Sequence, residues 1–174
     1  MEVTHGSLRI RNAGPADAPQ LAAWWNDGRV MAHVGFPKGL GITEAQIADS
    51  LKTDGDDTRR RLMLLYQEAP IGEMCYRNLN DGSAEIGIKI CNAAYQEKGI
   101  GRVALSMLIR ALFDRGYAKI VLDTNLKNTR AQHVYEKLGF RKLGVRADSW
   151  VDQLGQPQSA VDYALTEADF ISFL

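Results

Sequence analysis

The order of apolar and polar positions along the chain predicts a mixture of strands and helices. A short strand in SLRI is followed by a turn at Gly14 and Pro15, and a helix begins near Pro15 or Asp17 because proline is tolerated in the first helical turn. A second helix in GITEAQIADSL has Thr43 as its N-cap, and a polar loop follows at 54–57. Three strand-like runs come next, RRLMLLYQ, APIGEMCYRNL and SAEIGIKIC, with the hairpin signal NDG between the last two. These three strands are therefore predicted to be antiparallel neighbours.

After Gly99 and Gly101 the apolar residues recur about every 3.6 positions, which predicts a helix with one buried face that ends at Gly116. The run AKIVLDTN predicts a strand that is buried on both faces and parallel to the strand before the glycines. A short helix in NTRAQHVYEKLG, ended by Gly139, precedes two paired strands in FRKLGVRADSWV and SAVDYALTE. The pattern contains seven strands and no linker or repeat, so residues 1–174 are predicted to form a single domain.

Composition and charge narrow the classes of function. Of the 174 residues, 45% are apolar and 24% are charged, which is ordinary for a globular protein in water. The 21 basic residues balance 21 acidic residues, so no general attraction to nucleic acid or to an anionic membrane is expected. The start of the chain does not resemble a signal peptide, and no apolar stretch approaches the roughly 18 residues of a membrane-spanning helix. We therefore expect a cytoplasmic protein with reduced thiols at Cys75 and Cys91 and no metal site, since His5, His33 and His133 lack the spacing of ligands.

The stretch YQEKGIGRVAL predicts an anion-binding turn at the N-terminus of a helix. Gly99 and Gly101 have no Cβ atoms, so a phosphate can approach the free N–H groups and the positive dipole end of the helix. Together with Ala104 these glycines also fit G-x-G-x-x-A, and Asp123 follows about 20 residues later, as in dinucleotide-binding folds. Such folds need further parallel βαβ units, whereas antiparallel strands are predicted before this turn. The dinucleotide interpretation is therefore disfavoured.

A resemblance to a known family begins at Gln96, where QEKGIG fits the Q/R-x-x-G-x-G/A signature of the GNAT superfamily of acyl-CoA-dependent N-acyltransferases. The hexapeptide alone is weak evidence of membership. A second feature, AEIGI, lies upstream, with Glu85 eleven residues before Gln96. Downstream, NTRAQHVYEKLGF resembles the family's Asn-x-x-Ala and Tyr-Glu-Lys-Leu-Gly-Phe segment, and the predicted order of elements also agrees. The stretches WWND and DYALTEADF most resemble the RimJ/RimL-like branch, which includes ribosomal-protein N-terminal acetyltransferases.

The resemblance implies a fold and a cofactor. The fold is α/β (α+β), with a mixed, mostly antiparallel sheet of seven strands that is splayed between strands four and five and flanked by about four helices. A bulge would open the sheet, pantetheine would enter the gap like an extra strand, and the glycine turn would hold the pyrophosphate of acetyl-CoA, with no metal ion. The implied cofactor-binding residues are Ile88, Ile90, Cys91, Gln96, Glu97, Lys98, Gly99, Ile100, Gly101, Arg102 and Asn128.

The implied reaction is direct transfer of an acetyl group from the thioester to a primary amine, which must first lose a proton. Glu85 matches a strand glutamate that is the general base in some members, and Tyr135 matches a tyrosine that protonates the leaving thiolate. Each residue has a structural alternative. Glu85 is equally well explained as an exposed charge or a substrate-orienting carboxylate, and Tyr135 also belongs to an apolar helix stripe. Asn128 caps its helix or contacts the cofactor, and Cys91 is expected to pack rather than to act as a nucleophile.

The identity of the acceptor substrate is the property that the sequence defines least. Trp24, Trp25, His33 and Phe36 are candidates for an acceptor pocket, with packing of the first helix as the alternative. A protein N-terminus, a polyamine, an amino acid and an aminoglycoside are all compatible acceptors, and pairing with a second copy of the chain stays open. A non-catalytic acyl-CoA sensor is the alternative function. It would keep the glycine turn, but it would not need Glu85 and Tyr135, so their presence favours an enzyme.

Overall fold

Eight strands make up one mixed sheet in the computed structural model, which describes residues 1–174. The strand order is β1-β2-β3-β4-β5-β6-β8-β7, and only the neighbours β5 and β6 are parallel. The strands are β1 (Glu2–His5), β2 (Leu8–Asn12), β3 (Arg59–Tyr66), β4 (Ala69–Asn78), β5 (Ser83–Ile90), β6 (Lys119–Asn125), β7 (Arg141–Val151) and β8 (Pro157–Thr166). The α-helices are α1 (Ala18–Trp25), α2 (Gly28–Met31), α3 (Glu44–Leu51), α4 (Ile100–Phe113) and α5 (Thr129–Lys137).

Local contacts explain why most of the predicted elements begin and end where they do. At the start of α3 the Thr43 hydroxyl accepts from the N–H of Gln46, and the Gln46 side chain accepts from the N–H of Thr43, which is a capping box. The NDG turn joins β4 and β5 as an antiparallel hairpin. Gly116 and Gly139, with φ of 92° and 94°, follow the ends of α4 and α5. The predicted Thr43 cap, the hairpin and both helix ends are confirmed.

The predicted number of strands, seven, is wrong by one, because the sequence pattern does not predict β1. This strand pairs with β2 across a turn at Gly6, which has a φ of 55°. Three of its four residues are exposed, so EVTH carries no alternation of buried and exposed positions that would predict a strand. The helix α2 is also additional, since it is a single turn of four residues.

The prediction that AKIVLDTN is buried on both faces is also wrong. Only Ile120 and Leu122 of β6 are buried, and Asp123 is exposed. The second face of this strand is not covered by a helix and borders a groove lined by Val121, Asp123 and Arg146. The apolar run therefore reflects one buried face.

The sheet is split between β5 and β6, as the resemblance implies. Parallel pairing joins 83–85 to 119–121 and goes no further, although β5 continues to pair with β4 as far as Ile90. Strand β6 likewise stays paired with β8 as far as Asn125. The expected bulge in β5 is absent, since the register between β4 and β5 is continuous and the shifts lie at Leu64/Leu65 and within β7. The gap opens because each strand remains with its outer partner.

Two hydrophobic cores hold the sheet from opposite faces. The larger core packs α4 and α5 on one face, and the α4 residues Leu105, Met107 and Leu108 are fully buried in it. The smaller core packs α1 and α3 on the other face, around Leu21 and Ile47. No helix of the chain is long and apolar enough to cross a membrane. The larger core fixes the N-terminus of α4 beside the open end of β5.

Candidate active site

An open cleft of about 1560 Å³ passes through the gap in the sheet. Its walls include residues 86–90 of β5 with Cys91 directly after them, residues 122–125 of β6, and side chains from the first turns of α4 and α5. Residues of α1, α2 and the β7–β8 hairpin line its other end. The glycine turn and the split sheet therefore belong to the same cavity.

The glycine turn presents unpaired backbone donors to this cleft. Gly99 is the N-cap of α4 with a φ of 77°. The N–H groups of Ile100, Gly101 and Arg102 donate to no protein acceptor, and Val103 is the first residue to bond back, to the Gly99 carbonyl at 3.5 Å. A Cβ atom at Gly101 would meet only Ile90 Cδ1, at 3.6 Å, so packing within the protein does not require glycine there.

Side chains around the turn hold it in place. Gln96 Nε2 donates to the carbonyl of Ile90 at 2.8 Å, which ties the turn to the end of β5. Arg130 donates to Glu97 Oε1 at 2.8 Å, which ties the turn to α5. The Arg102 guanidinium lies 4.8 Å from the centre of the Phe173 ring. Lys98 and Ile100 do not line the cleft with their side chains, so the donors of the turn are mainly backbone groups.

The backbone of β5 faces the gap at alternate residues. The N–H of Cys91 donates to the Ile71 carbonyl at 2.9 Å, and the Leu79 N–H donates to the Ser83 carbonyl, so the odd-numbered residues of β5 bond to β4. The backbone groups of Ile88 and Ile90 therefore point toward the gap. Of these, only the Ile90 carbonyl has a side-chain partner, Gln96.

Cys91 is placed differently from Ile88 and Ile90. Its N–H is already bonded, and its thiol is buried in the smaller core. Burial, followed by the nearby Glu73 carboxylate, raises the pKa of the Cys91 thiol to about 12. The thiol therefore stays protonated at neutral pH, which agrees with a packing role and not with a nucleophile.

Tyr135 reaches the cleft from α5. Its ring packs against Phe140 and Tyr163, with centroid distances of 5.9 and 5.8 Å. Burial, followed by the charge of Asp123, raises the pKa of the Tyr135 hydroxyl to about 12, so it keeps its proton at neutral pH. The Tyr135 hydroxyl makes no hydrogen bond within the protein. Every fully buried side-chain nitrogen or oxygen does make one, so this hydroxyl is not fully buried and is open to the cleft that Tyr135 lines.

Glu85 enters the same cleft from the opposite face of the sheet. Its neighbours Ala84 and Ile86 are buried under α4, so alternation directs Glu85 toward the side of α1 and α2. Arg77 lies directly opposite on β4 and forms an ion pair with Glu85 at 2.5 Å. Glu85 and Tyr135 thus line the same cleft from opposite faces of the sheet.

The remaining predicted residues divide between the cleft and other positions. Trp24 and His33 line the cleft, whereas Phe36 does not. Trp25 is turned away from it, since its indole N–H donates to the Glu73 carboxylate at 2.9 and 3.0 Å. Asn128 lines the cleft and caps α5, with its Oδ1 accepting from the N–H of Ala131 at 3.2 Å. No group of three or more His, Cys, Asp or Glu side chains is placed to hold a metal ion.

Several cleft residues were not identified from the sequence. Arg59 and Arg77 lie opposite each other on β3 and β4, and Arg146 and Trp150 come from β7. Counting outward from the NDG turn would have placed Arg77 opposite Glu85. The other three residues carry no local signal, because their neighbours in space are distant in the sequence.

The far end of the cleft is closed by contacts between the β7–β8 hairpin and the segment after α2. The Gln153 N–H donates to the Gly35 carbonyl at 2.8 Å. Gln153 Oε1 accepts from the N–H of Lys38 at 2.8 Å, and its Nε2 donates to the Gly39 carbonyl at 2.9 Å. The Trp150 ring occupies the space beside Gly35, where a Cβ atom would lie 2.3 Å from the indole. We call these contacts of Trp150 and Gln153 with residues 35–39 the clasp.

Known proteins share this architecture. A family model described as an acetyltransferase (GNAT) domain matches residues 7–141. The chain is 28% identical over 138 residues to mycothiol acetyltransferase from Corynebacterium glutamicum (strain R), an alignment that covers 79% of this chain and 46% of the relative. It is 32% identical over 72 residues to ribosomal protein bS18-alanine N-acetyltransferase from Haemophilus ducreyi, covering 41% of this chain and 50% of that one. The chain thus spans about half the length of the curated relatives it matches.

One solved structure adds to this comparison. RimL, a ribosomal-protein α-N-acetyltransferase in complex with coenzyme A, superposes with a TM-score of 0.85 at 15% identity, covering 95% of this chain and 98% of that one. At this level of identity the superposition shows a shared fold. The family model covers the glycine turn, Glu85 and Tyr135. With the split sheet and the unpaired donors of the turn, this match shows that the chain belongs to the GNAT family of acetyltransferases.

Proposed function

We propose that this protein is an acetyl-CoA-dependent N-acetyltransferase that moves an acetyl group directly from the thioester to a primary amine. One observation carries the proposal. The unpaired N–H groups at the start of α4 open into the gap where β5 and β6 separate. Relatives named as acetyltransferases and a neighbour that binds coenzyme A support the same function.

The residues of the cleft fit the chemistry of this co-substrate. The N–H groups of Ile100, Gly101 and Arg102 are suited to pyrophosphate oxygens, because a helix start combines unpaired donors with the positive end of the dipole. The Ile88 N–H and carbonyl and the Ile90 N–H are suited to an extended amide chain lying in the gap. No metal ion is required in this scheme.

When bound, acetyl-CoA supplies the acetyl thioester, and the amine nitrogen takes the acetyl group as the carbon–sulfur bond breaks and the thiol leaves. Glu85 accepts the proton that the amine must lose, directly or through a water molecule. The ion pair with Arg77 fixes the direction of the Glu85 carboxylate. Tyr135 gives its proton to the departing sulfur, since a hydroxyl with a pKa of about 12 is protonated across the physiological range.

The alternative function is a non-catalytic acyl-CoA sensor. A sensor needs the glycine turn and the gap, but it does not need a carboxylate and a protonated hydroxyl on opposite faces of the gap. Both groups line the cleft here, which favours an enzyme. In this proposal the acceptor is a small-molecule amine or a protein N-terminus. We also propose that residues 1–174 form one domain and that the reaction takes place in the cytoplasm.

An acceptor screen tests this function. The protein is incubated with acetyl-CoA and a panel of amino acids, peptides, polyamines and aminoglycosides, and released thiol is measured. Calorimetry with coenzyme A is performed in parallel. Thiol release that depends on the acceptor supports the enzyme, whereas binding of coenzyme A without release from any acceptor supports the sensor. Failure to bind coenzyme A would remove both functions.

A further inference from the structure

Four carboxylates line the cleft, and each of them is already paired with an arginine. The N–O distances of these pairs are between 2.5 and 2.8 Å. An acceptor with several ammonium groups would compete with an arginine for each of these carboxylates, so the cleft is poorly suited to it. The pairs are Asp27 with Arg29, Glu85 with Arg77, Glu97 with Arg130, and Asp123 with Arg146.

Two arginines of the cleft, Arg59 and Arg102, have no carboxylate within 4.0 Å of the guanidinium. Arg102 belongs to the first turn of α4 and lies against the Phe173 ring. The nearby acid Asp54 is bound by Arg61 through both of its oxygens, so it is already neutralised. Arg59 is exposed and lines the cleft at the first residue of β3. The acceptor end of the cleft therefore holds one guanidinium without an anionic partner, that of Arg59, whereas Arg102 lies at the glycine turn.

The register of the sheet places this guanidinium beside the candidate base. Arg59 is directly opposite Arg77 on β4, and Arg77 is directly opposite Glu85 on β5. Like charges opposite each other in a ladder are unfavourable, and the single carboxylate of Glu85 compensates only one of the two cations. A second anion at this position would relieve the repulsion. We call Arg59, Arg77 and Glu85 the charged row.

We propose that the charged row recognises an acceptor that carries a carboxylate as well as its amine. Glu85 faces the amine, and Arg59 together with Arg77 binds the carboxylate, because planar guanidinium groups match carboxylate oxygens in geometry and charge. This inference rests on the proposed acetyltransferase function and narrows its substrate class. The acceptor is an amino acid or a peptide N-terminus with a carboxylate nearby, and polyamines are disfavoured.

The phosphates of the co-substrate do not account for Arg59. They are assigned to the start of α4, whose helix packs in the larger core, on the opposite face of the sheet. The side chain of Arg59 belongs to the face that carries Arg77 and Glu85, since directly opposed residues of a ladder project to the same side. The two positive regions of the cleft therefore serve different ligands.

The test uses matched acceptors that differ in one negative charge, and rates are expressed per concentration of unprotonated amine, because a neighbouring carboxylate also raises the pKa of the amine. The first pair is alanine and alaninamide, and the second is a C-terminally amidated peptide that begins Ala-Glu or Ala-Gln. Spermidine serves as the cationic comparison. Released thiol gives kcat/KM for each compound. We expect the acidic member of at least one pair to be favoured by about tenfold or more, which is the scale of one charge-assisted contact. A preference within the first pair would mean that the protein binds the α-carboxylate of an amino acid. A preference within the second pair would mean that it binds a side-chain carboxylate near a peptide N-terminus.

Variants of Arg59 connect the preference to this site. Arg59→Gln is expected to abolish the preference for the acidic member, and Arg59→Lys to retain part of it. Arg141→Gln is the matched control, because Arg141 is an exposed arginine at the start of β7 that does not line the cleft. The preference should also decrease at high salt, since Arg59 is exposed and its charge is screened.

The outcomes separate this inference from the proposed function. If thiol is released but both members of each pair react equally, or if Arg59→Gln keeps the preference, the charged row does not select carboxylates, although the transferase function stands. If no compound releases thiol, calorimetry of the same pairs with the protein saturated with coenzyme A decides. Acid-selective binding that Arg59→Gln abolishes supports the charged row on its own, and equal binding overturns it.

Discussion

The two ends of the cleft are built in different ways. The end that we assign to acetyl-CoA comes from a nearly continuous stretch, from β5 through the glycine turn to α5. Its main contacts are backbone groups, which are exposed because β5 and β6 separate and because the first turn of α4 has no acceptors. The acceptor end combines side chains from α1, α2, β3, β4 and β7, which are far apart in the sequence.

This difference determines which substitutions each end of the cleft can tolerate. Backbone donors at a helix start recognise any phosphate of suitable geometry, and they tolerate changes of the surrounding side chains as long as the glycines remain. Arg59 and Trp150 belong to neither hydrophobic core, so we expect their replacement to leave the sheet intact. Residues at the first end should therefore affect binding of the co-substrate, and residues at the second end should affect the choice of acceptor. The following experiments test that division, beginning with the residue that stands between the two ends.

Glu85→Gln is expected to give the largest loss. If Glu85 accepts the proton of the amine, turnover should fall by roughly 10²-fold or more at neutral pH, while affinity for coenzyme A is preserved. The loss should shrink as the pH approaches the pKa of the amine, about 10 for a lysine-like amine, because free amine then becomes plentiful. Initial rates from pH 7 to pH 10 check this.

Glu2→Gln is the matched control for the base, since Glu2 is also a strand glutamate paired with an arginine, Arg9, but lies outside the cleft. It should leave turnover and its pH profile unchanged. A defect of Glu85→Gln that is the same at every pH would assign Glu85 to orientation of the acceptor instead of proton transfer.

Tyr135→Phe is expected to lower turnover by about 10- to 10³-fold, because the leaving thiol has a pKa near that of cysteine and departs without full protonation. The ring contacts with Phe140 and Tyr163 are kept, so the free energy of unfolding should change by no more than about 1 kcal/mol. Since the pKa of Tyr135 is raised to about 12, the wild-type rate should not fall between pH 7 and pH 10 through loss of this proton.

The control for the acid is Tyr163→Phe, which removes a neighbouring hydroxyl that donates to Glu136 at 3.0 Å instead of reaching the cleft. Its turnover should match that of the wild type. Wild-type rates in Tyr135→Phe, measured with a folded variant, would mean that Tyr135 is a core residue and that water protonates the thiol.

Gly101→Asp is expected to weaken acetyl-CoA binding by at least tenfold, about 1.4 kcal/mol, because it places a negative side chain beside the unpaired N–H groups. Gly101→Ala should weaken binding less and should not lower the free energy of unfolding, since its Cβ would have only an ordinary contact at 3.6 Å. Alanine is also favoured over glycine within a helix by roughly 0.5–1 kcal/mol. Calorimetry and urea denaturation give the two quantities.

Gly144→Asp makes the same chemical change on β7, where a Cβ atom has nothing within 4 Å, and should leave binding unaffected. Unchanged affinity in Gly101→Asp would remove the pyrophosphate from the start of α4. A loss that appears only in the acceptor KM would break the division between the two ends.

The same division explains what the sequence predicts and what it does not. The glycine turn follows from glycine spacing and a change of period, both of which are local, and so does the helix stripe that carries Tyr135. The position of Arg59 opposite Arg77 requires the register of the β3–β4 ladder, which contains a shift at Leu64/Leu65 that no local pattern indicates. The sequence predicts Trp25 as a pocket residue because nothing near it in the chain indicates its hydrogen bond to Glu73, which lies 48 positions away. Non-local contacts of this kind depend on the folded topology.

The smallest expected effect concerns the clasp, which belongs wholly to the acceptor end. Gln153→Ala removes two side-chain hydrogen bonds to residues 38 and 39, each worth about 1 kcal/mol, and loosens the wall formed by His33 and Trp150. We expect the acceptor KM to rise by about three- to tenfold, with coenzyme A affinity unchanged in calorimetry. Gln156→Ala is the matched control, because the Gln156 side chain lies in the same hairpin and makes no hydrogen bond. An altered affinity for coenzyme A in Gln153→Ala, with the acceptor KM unchanged, would show that the clasp supports the co-substrate and that the two ends are not independent.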